Sequence, residues 1–175
     1  MNLENPLENQ KDEYLILKEN FLSGKKSLKE VRDFLLQKDQ ETADRKGSIK
    51  NLEFLKDRDI VNYFLEKAEH QEKDAYYRFL SFTEFHVAQI ELLNGNVDTG
   101  KEHVLQAISC YDNVSEVIDE QWVPYMQATL SYLNGELIED DIIESIRGNN
   151  IQILKKLNQA LKERGFPDYK EDYGK

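Results

Sequence analysis

The chain has 175 residues, 34 acidic and 23 basic, for a formal net charge of −11; 39% are hydrophobic and 33% charged. That length suits one domain, and its Leu, Ile, Phe and Tyr suffice to bury a core, which excludes global disorder. Few Gly and Pro argue against a turn-rich β-sandwich, the single Cys110 excludes an intramolecular disulfide framework, and no apolar run reaches the roughly 18 residues that span a membrane.

Met1 to Gln10 is polar and acidic and lacks the basic flank and apolar stretch of a secretory signal, so a cytoplasmic location is expected. Helical periodicity begins with Leu15, Leu17, Phe21 and Leu22, and Ser23-Gly24 stops it. Ser27 followed by Glu30 is a capping-box signature for a second helix with Val31, Phe34 and Leu35. Lys38 to Gly47 has no large apolar residue and reads as a frayed end or loop. Ser48 is a candidate cap for a helix bearing Leu52 and Leu55, and Asp59 for one bearing Ile60 and Phe64. Glu69 to Lys73 is a polar break or a solvated stretch of continuous helix, and a long helix is predicted from about Asp74 to Leu93, apolar on more than one face and so packed on several sides. Asn94-Gly95-Asn96 ends it. Asp98 can cap the next helix, with Val104, Ala107, Ile108 and Tyr111 as its stripe. Trp122 to Leu133 is a further helix, ended by Asn134-Gly135. A short helix with Ile142, Ile143 and Ile146 is closed by Gly148, and Asn149 caps a last one with Leu154, Leu157 and Leu161. Gly165 and Pro167 stop that helix, and Tyr169 to Lys175 reads as a loose tail.

The expectation is an all-α fold of seven to nine helices, with short turns making sequential helices antiparallel neighbours. Residues 1–73 would supply N-terminal helices, as a cap or first pairs. Residues 74–147 would form two helical pairs, 148–164 a C-terminal helix and 165–175 the tail.

The most informative feature is a self-match at an offset of 40 residues. Ala88, Leu93, Asn94 and Gly95 recur as Ala128, Leu133, Asn134 and Gly135; Phe82, Phe85 and Ile90 align with Trp122, Tyr125 and Leu130. Each copy is a long helix, a tight turn and a second helix, the signature of an α-solenoid, because one helical pair cannot bury both its faces. The second copy is about two residues shorter after Gly135.

The residues Ala88, Gly95, Gly100, Val104 and Ala107, at steps of seven, five, four and three, resemble the tetratricopeptide-repeat (TPR) family over roughly residues 74–147. The resemblance implies a short TPR-like solenoid in which Gly100 lets the paired helices touch. It also implies a concave groove for a peptide or partner protein, lined by the first helices of successive copies. Phe82, Phe85, Gln89 and Leu92 of one copy would face it, with Trp122, Tyr125, Thr129 and Tyr132 of the next. Aromatic side chains give large contact area at low entropic cost and make good anchors. They also fill cores, and the C-terminal helix could itself occupy such a groove.

Charge is uneven: residues 61–120 hold 12 acidic and 4 basic side chains, a net of −8. Such a surface repels phosphate backbones and anionic lipid and attracts a basic partner. Neither nucleic acid nor a membrane is expected as partner.

Chemistry-bearing patterns are sparse. Glu66, Glu69 and Glu72 run at helical steps near His70 and could meet a hard cation, although such runs usually face water. His103 and Cys110 share a helix face, but two turns separate them by about 10 Å, beyond the hydrogen-bond reach that a nucleophile pair needs. His86 reads as a packed or surface residue. No phosphate loop, nucleophile elbow, Cys-x-x-Cys or calcium loop is present, so no catalytic residue, metal or cofactor is assigned. The leading expectation is a non-catalytic interaction module or adaptor. An acidic inhibitor occupying a basic or nucleic-acid-binding site, and a small helical metal-dependent hydrolase, are the alternatives.

Overall fold

The computed structural model describes residues 12–41 and 46–174. The expectations for Met1 to Gln10 and for part of Lys38 to Gly47 lie outside them. The described residues form ten α-helices and no strand. The all-helical expectation holds, with one helix more than the upper count.

The N-terminal third holds α1 (Glu13–Leu22), α2 (Leu28–Glu41), α3 (Lys46–Leu55) and α4 (Arg58–Glu66). The Asp12 carboxylate caps α1, and Gly24 at φ +75° takes the left-handed turn after it. The Ser27–Glu30 box forms at α2: the Ser27 amide donates to Glu30 at 2.8 Å, and the Glu30 amide to Ser27 Oγ at 3.2 Å. Two expected caps are corrected. Ser48 lies inside α3, fully buried, with its hydroxyl on Asp39 of α2. Asp57, not Asp59, caps α4, because its carboxylate reaches the Asp59 amide at 2.9 Å.

Helix α5 (His70–Leu93) is the centre of the molecule. It takes in His70 to Lys73, the helical alternative for that polar stretch, because the Glu72 carboxylate accepts from the Glu69 amide and closes the first turn. One face gives Tyr76, Leu80 and Val87 to a core shared with α1–α4. Another gives Phe85, Ala88 and Leu92 to a second core with the helices that follow. The apolar residues on several faces of α5 are thus explained by two cores meeting on one helix.

Helix α6 (Val97–Tyr111) runs back along α5. Its start lies one or two residues before the expected Asp98 cap, with Asn96 as the capping residue. The pairing is antiparallel throughout: Gly100 lies against Ala88 and Leu92, His103 meets Glu84, Ala107 meets Ser81, and Ser115 beyond the helix end meets Asp74. A Cβ at Gly100 would come within 2.5 Å of Leu92 Cγ, so only glycine lets the two helices approach this closely.

Helix α7 (Trp122–Leu133) begins the second copy. The two turns that end α5 and α7 carry the same bonds. The Asn96 amide donates to the Glu91 carbonyl at 2.9 Å, and the Glu136 amide to the Ser131 carbonyl at 3.0 Å. Gly95 and Gly135 take φ +85° and +78° in these Schellman turns. Beyond the turn the copies diverge. The first enters α6 at once; the second stays non-helical over residues 136–139 before the short α8 (Asp140–Ser145). Asn158 on α9 (Asn149–Arg164) holds that segment by bonding both the amide and the carbonyl of Ile138, at 2.9 and 3.1 Å. Gly148, at φ +67°, occupies the cap position of α9 in place of the expected Asn149.

The expected loose tail is corrected. Asp168 caps a tenth helix, α10 (Tyr169–Tyr173), whose Tyr169 is 4% exposed. It is held by its own tyrosines and a buried carboxylate rather than by its length. No helix of the described residues is long and apolar enough to cross a membrane.

Candidate functional site

The eight residues expected along the α5/α7 face fall into three sets. Phe82, Phe85, Trp122 and Tyr125 form a ladder: the aligned pairs Phe82–Trp122 and Phe85–Tyr125 have ring centroids 6.0 and 5.5 Å apart. The indole N–H of Trp122 donates to Ser81 Oγ at 3.0 Å, which fixes the ring over α5. Gln89 and Tyr132 belong to the end covered by α10, and Thr129, one turn before Tyr132, is buried with its hydroxyl donating to the Tyr125 carbonyl at 3.0 Å. Leu92 lies in the α5/α6 seam against Gly100, not on the α5/α7 face. Six of the eight are buried by the chain itself; Phe82 and Trp122 alone stay half-buried.

The α10 end is a polar lock. Gln89 Nε2 donates to the hydroxyls of Tyr169 and Tyr173 at 3.3 and 3.2 Å. The Tyr132 hydroxyl donates to Asp172, whose carboxylate also takes both amino groups of Arg164, at 2.9 and 2.5 Å. Burial alone would raise the Asp172 pKa, but the bonds from Arg164 and Tyr132 outweigh it and hold it below the ordinary carboxylate value. Burial, and then the bond to Asp172, push the Tyr132 hydroxyl up. The tail's signal was legible in hindsight: tyrosines four apart after an Asp cap present one aromatic face.

The three histidines have separate partners. His103 Nδ1 meets Glu84 Oε2 at 2.6 Å, and the other oxygen of this fully buried carboxylate is ion-paired with Lys56. His86 meets Asp39 at 3.0 Å and lies over the Phe82 ring, with centroids 4.0 Å apart. His70 and Asp74 both bind the Ser115 hydroxyl, and Asp74 accepts the amides of Ser115 and Glu116 at 3.1 and 3.0 Å. Cys110 is no activated thiol: burial, and then the nearby Glu84 charge, push its pKa up to about 11. Glu72 closes the first turn of α5 instead of joining Glu66 in a ligand set. Among the described residues no three His, Cys, Asp or Glu side chains converge as metal ligands.

A further feature escaped the sequence reading. Where the second copy stays non-helical after Gly135, a groove of about 480 Å³ opens between α7 and residues 136–145. Its walls include Ala128, Leu137 and Ile142, and its rim Glu136, Glu139 and Asp141. Its signal in the sequence is the run Glu136 to Glu144, five acidic residues around the apolar Leu137, Ile138, Ile142 and Ile143.

Comparison with family models, curated proteins and solved structures gives no match for this chain.

Proposed function

We propose that the chain is a non-catalytic, cytoplasmic interaction module or adaptor of TPR-like build, whose partner is a protein or peptide. The observation that carries the reading is the in-register stack of two helical copies: equal turns, and aligned aromatic rings in contact. Stacked copies of this kind exist to extend a surface, and a surface is what an adaptor uses. The half-buried Phe82 and Trp122 are its aromatic edge. The net −8 of residues 61–120 speaks against nucleic acid and anionic lipid as partners. The same charge favours a second reading, an acidic inhibitor that covers a basic site on its target. The hydrolase reading has less support, since Glu72 is engaged in capping α5.

Affinity capture from source-cell lysate tests this, with native chain beside a Phe82→Ala variant of equal helix content. A protein retained by the native chain and lost by the variant fits the adaptor. Retention that falls steeply between low and physiological salt fits the inhibitor. Capture of nothing, together with magnesium- or manganese-dependent hydrolytic turnover, overturns both.

A further inference from the structure

The groove beside α7 exists because the two copies differ. In the first copy Gly100 brings α6 hard against α5, and the Ala88 carbonyl lies 3.3 Å from where a Gly100 Cβ would sit. The equivalent Ala128 lies instead on the groove wall, with Leu137 and Ile142 as further apolar surface. Leu137 is 53% exposed, a large apolar side chain standing in an otherwise acidic stretch. Glu136, Glu139, Asp140, Asp141 and Glu144 all fall within nine residues, and between Gln121 and Asn150 the only cation is Arg147. No described lysine or arginine forms an ion pair with any of the five.

We propose that this groove is the docking site for a basic segment of another protein, one carrying an apolar anchor flanked by lysine or arginine. The proposal rests on the interaction-module reading and names the surface and the partner's chemistry. Both halves of the match are local. The apolar wall takes one or two aliphatic or aromatic side chains, and the volume lies within the range of ligand grooves. The acidic rim, which no described lysine or arginine pairs, attracts positive charge and rejects acidic competitors. An anchored, charge-flanked helix or strand is an ordinary way for a peptide to enter such a groove.

The test uses the full chain and synthetic peptides. The probe is a 16-residue peptide of alternating lysine and leucine blocks; its glutamate-for-lysine counterpart and a lysine-glycine peptide without anchors are the controls. Binding is read by calorimetry, and the site by hydrogen exchange. The expected result is protection over residues 124–145 with the basic, anchored peptide only. The Glu136→Gln, Glu139→Gln, Asp141→Asn variant should weaken that binding roughly tenfold or more at low salt. Leu137→Ser should weaken it at every salt concentration. A variant neutralising Asp112, Glu116 and Glu120, exposed acids of the α6–α7 loop, should bind as the native chain does. Equal binding by all variants, protection elsewhere, or no binding overturns the groove. The adaptor reading stands or falls separately, on whether the native chain captures a protein from lysate.

Discussion

Phe85 on α5 and Tyr125 on α7 stand 40 positions apart in sequence and hold their rings 5.5 Å apart in space. The sequence self-match and the tertiary contact therefore coincide: a residue touches its own counterpart in the next copy. That is the geometry expected when helical pairs stack with a small, regular displacement.

The contact has an energetic consequence. Each ring is nearly fully buried, so Phe85→Ala and Tyr125→Ala should each cost about 3–5 kcal/mol of stability. In a double-mutant cycle the pair should couple by about 0.5–1.5 kcal/mol beyond its area. Urea unfolding of the four proteins measures this, and a coupling near zero would mean that the copies do not stack through these rings.

Glu84 binds the two cores together electrostatically. It is fully buried on α5 and meets Lys56, beside the N-terminal core, and His103 on α6. Glu84→Ala leaves the half-buried His103 without its acceptor and Lys56 to water, and should cost about 1–3 kcal/mol. Glu84→Gln keeps the volume and an acceptor for His103, so its cost should be clearly smaller. Equal losses in thermal or urea unfolding would show that packing, not charge, matters at this position.

Gly100→Ala separates helix preference from packing. Alanine should gain about 1 kcal/mol from propensity, yet its Cβ would overlap the buried Leu92 side chain. Overpacking of this kind costs about 1–3 kcal/mol. A net loss of stability is expected, and a net gain would place α5 and α6 farther apart than described.

Stability should depend on pH through Asp172. Its pKa is lowered in the folded state, so its contribution is complete above the ordinary Asp value of about 3.9. It is lost as pH falls through the lower, folded value. Asp172→Asn should therefore be less stable than the native chain at neutral pH and lose less on acidification below about pH 4. Parallel acid profiles for the two proteins would contradict the α10 lock.

The Cys110 thiol, raised to about 11, should resist iodoacetamide at pH 7 and react promptly once the chain is unfolded. Rapid labelling of the folded protein would show that the half-buried thiol is not held protonated.

Much of the fold was legible because helix-stop chemistry is local. Gly24, Gly95, Gly135, Gly148 and Gly165 all adopt positive φ, and each marks a boundary visible as a glycine after an apolar stripe. Start signals were less exact. Several polar residues near a helix start can serve as cap, and tertiary packing chose Asp57 and Asn96 and drew Ser48 into the interior. The candidate groove residues were placed on the right helices, but burial depends on what covers them. Only the structure shows α10 over Gln89 and Tyr132, or Leu92 turned into the α5/α6 seam. The acidic groove beside α7 arises from a missing stretch of helix after Gly135, and a shortened repeat signals that only once its partner helix has been seen.

The most direct test is light scattering on the purified chain recombined with whatever protein it captures from its source cell. The expected result is a complex of defined stoichiometry whose mass exceeds that of the 20.6 kDa chain by whole partner subunits. Elution of the chain at its own mass with every captured candidate, at low and physiological salt alike, would contradict an interaction module.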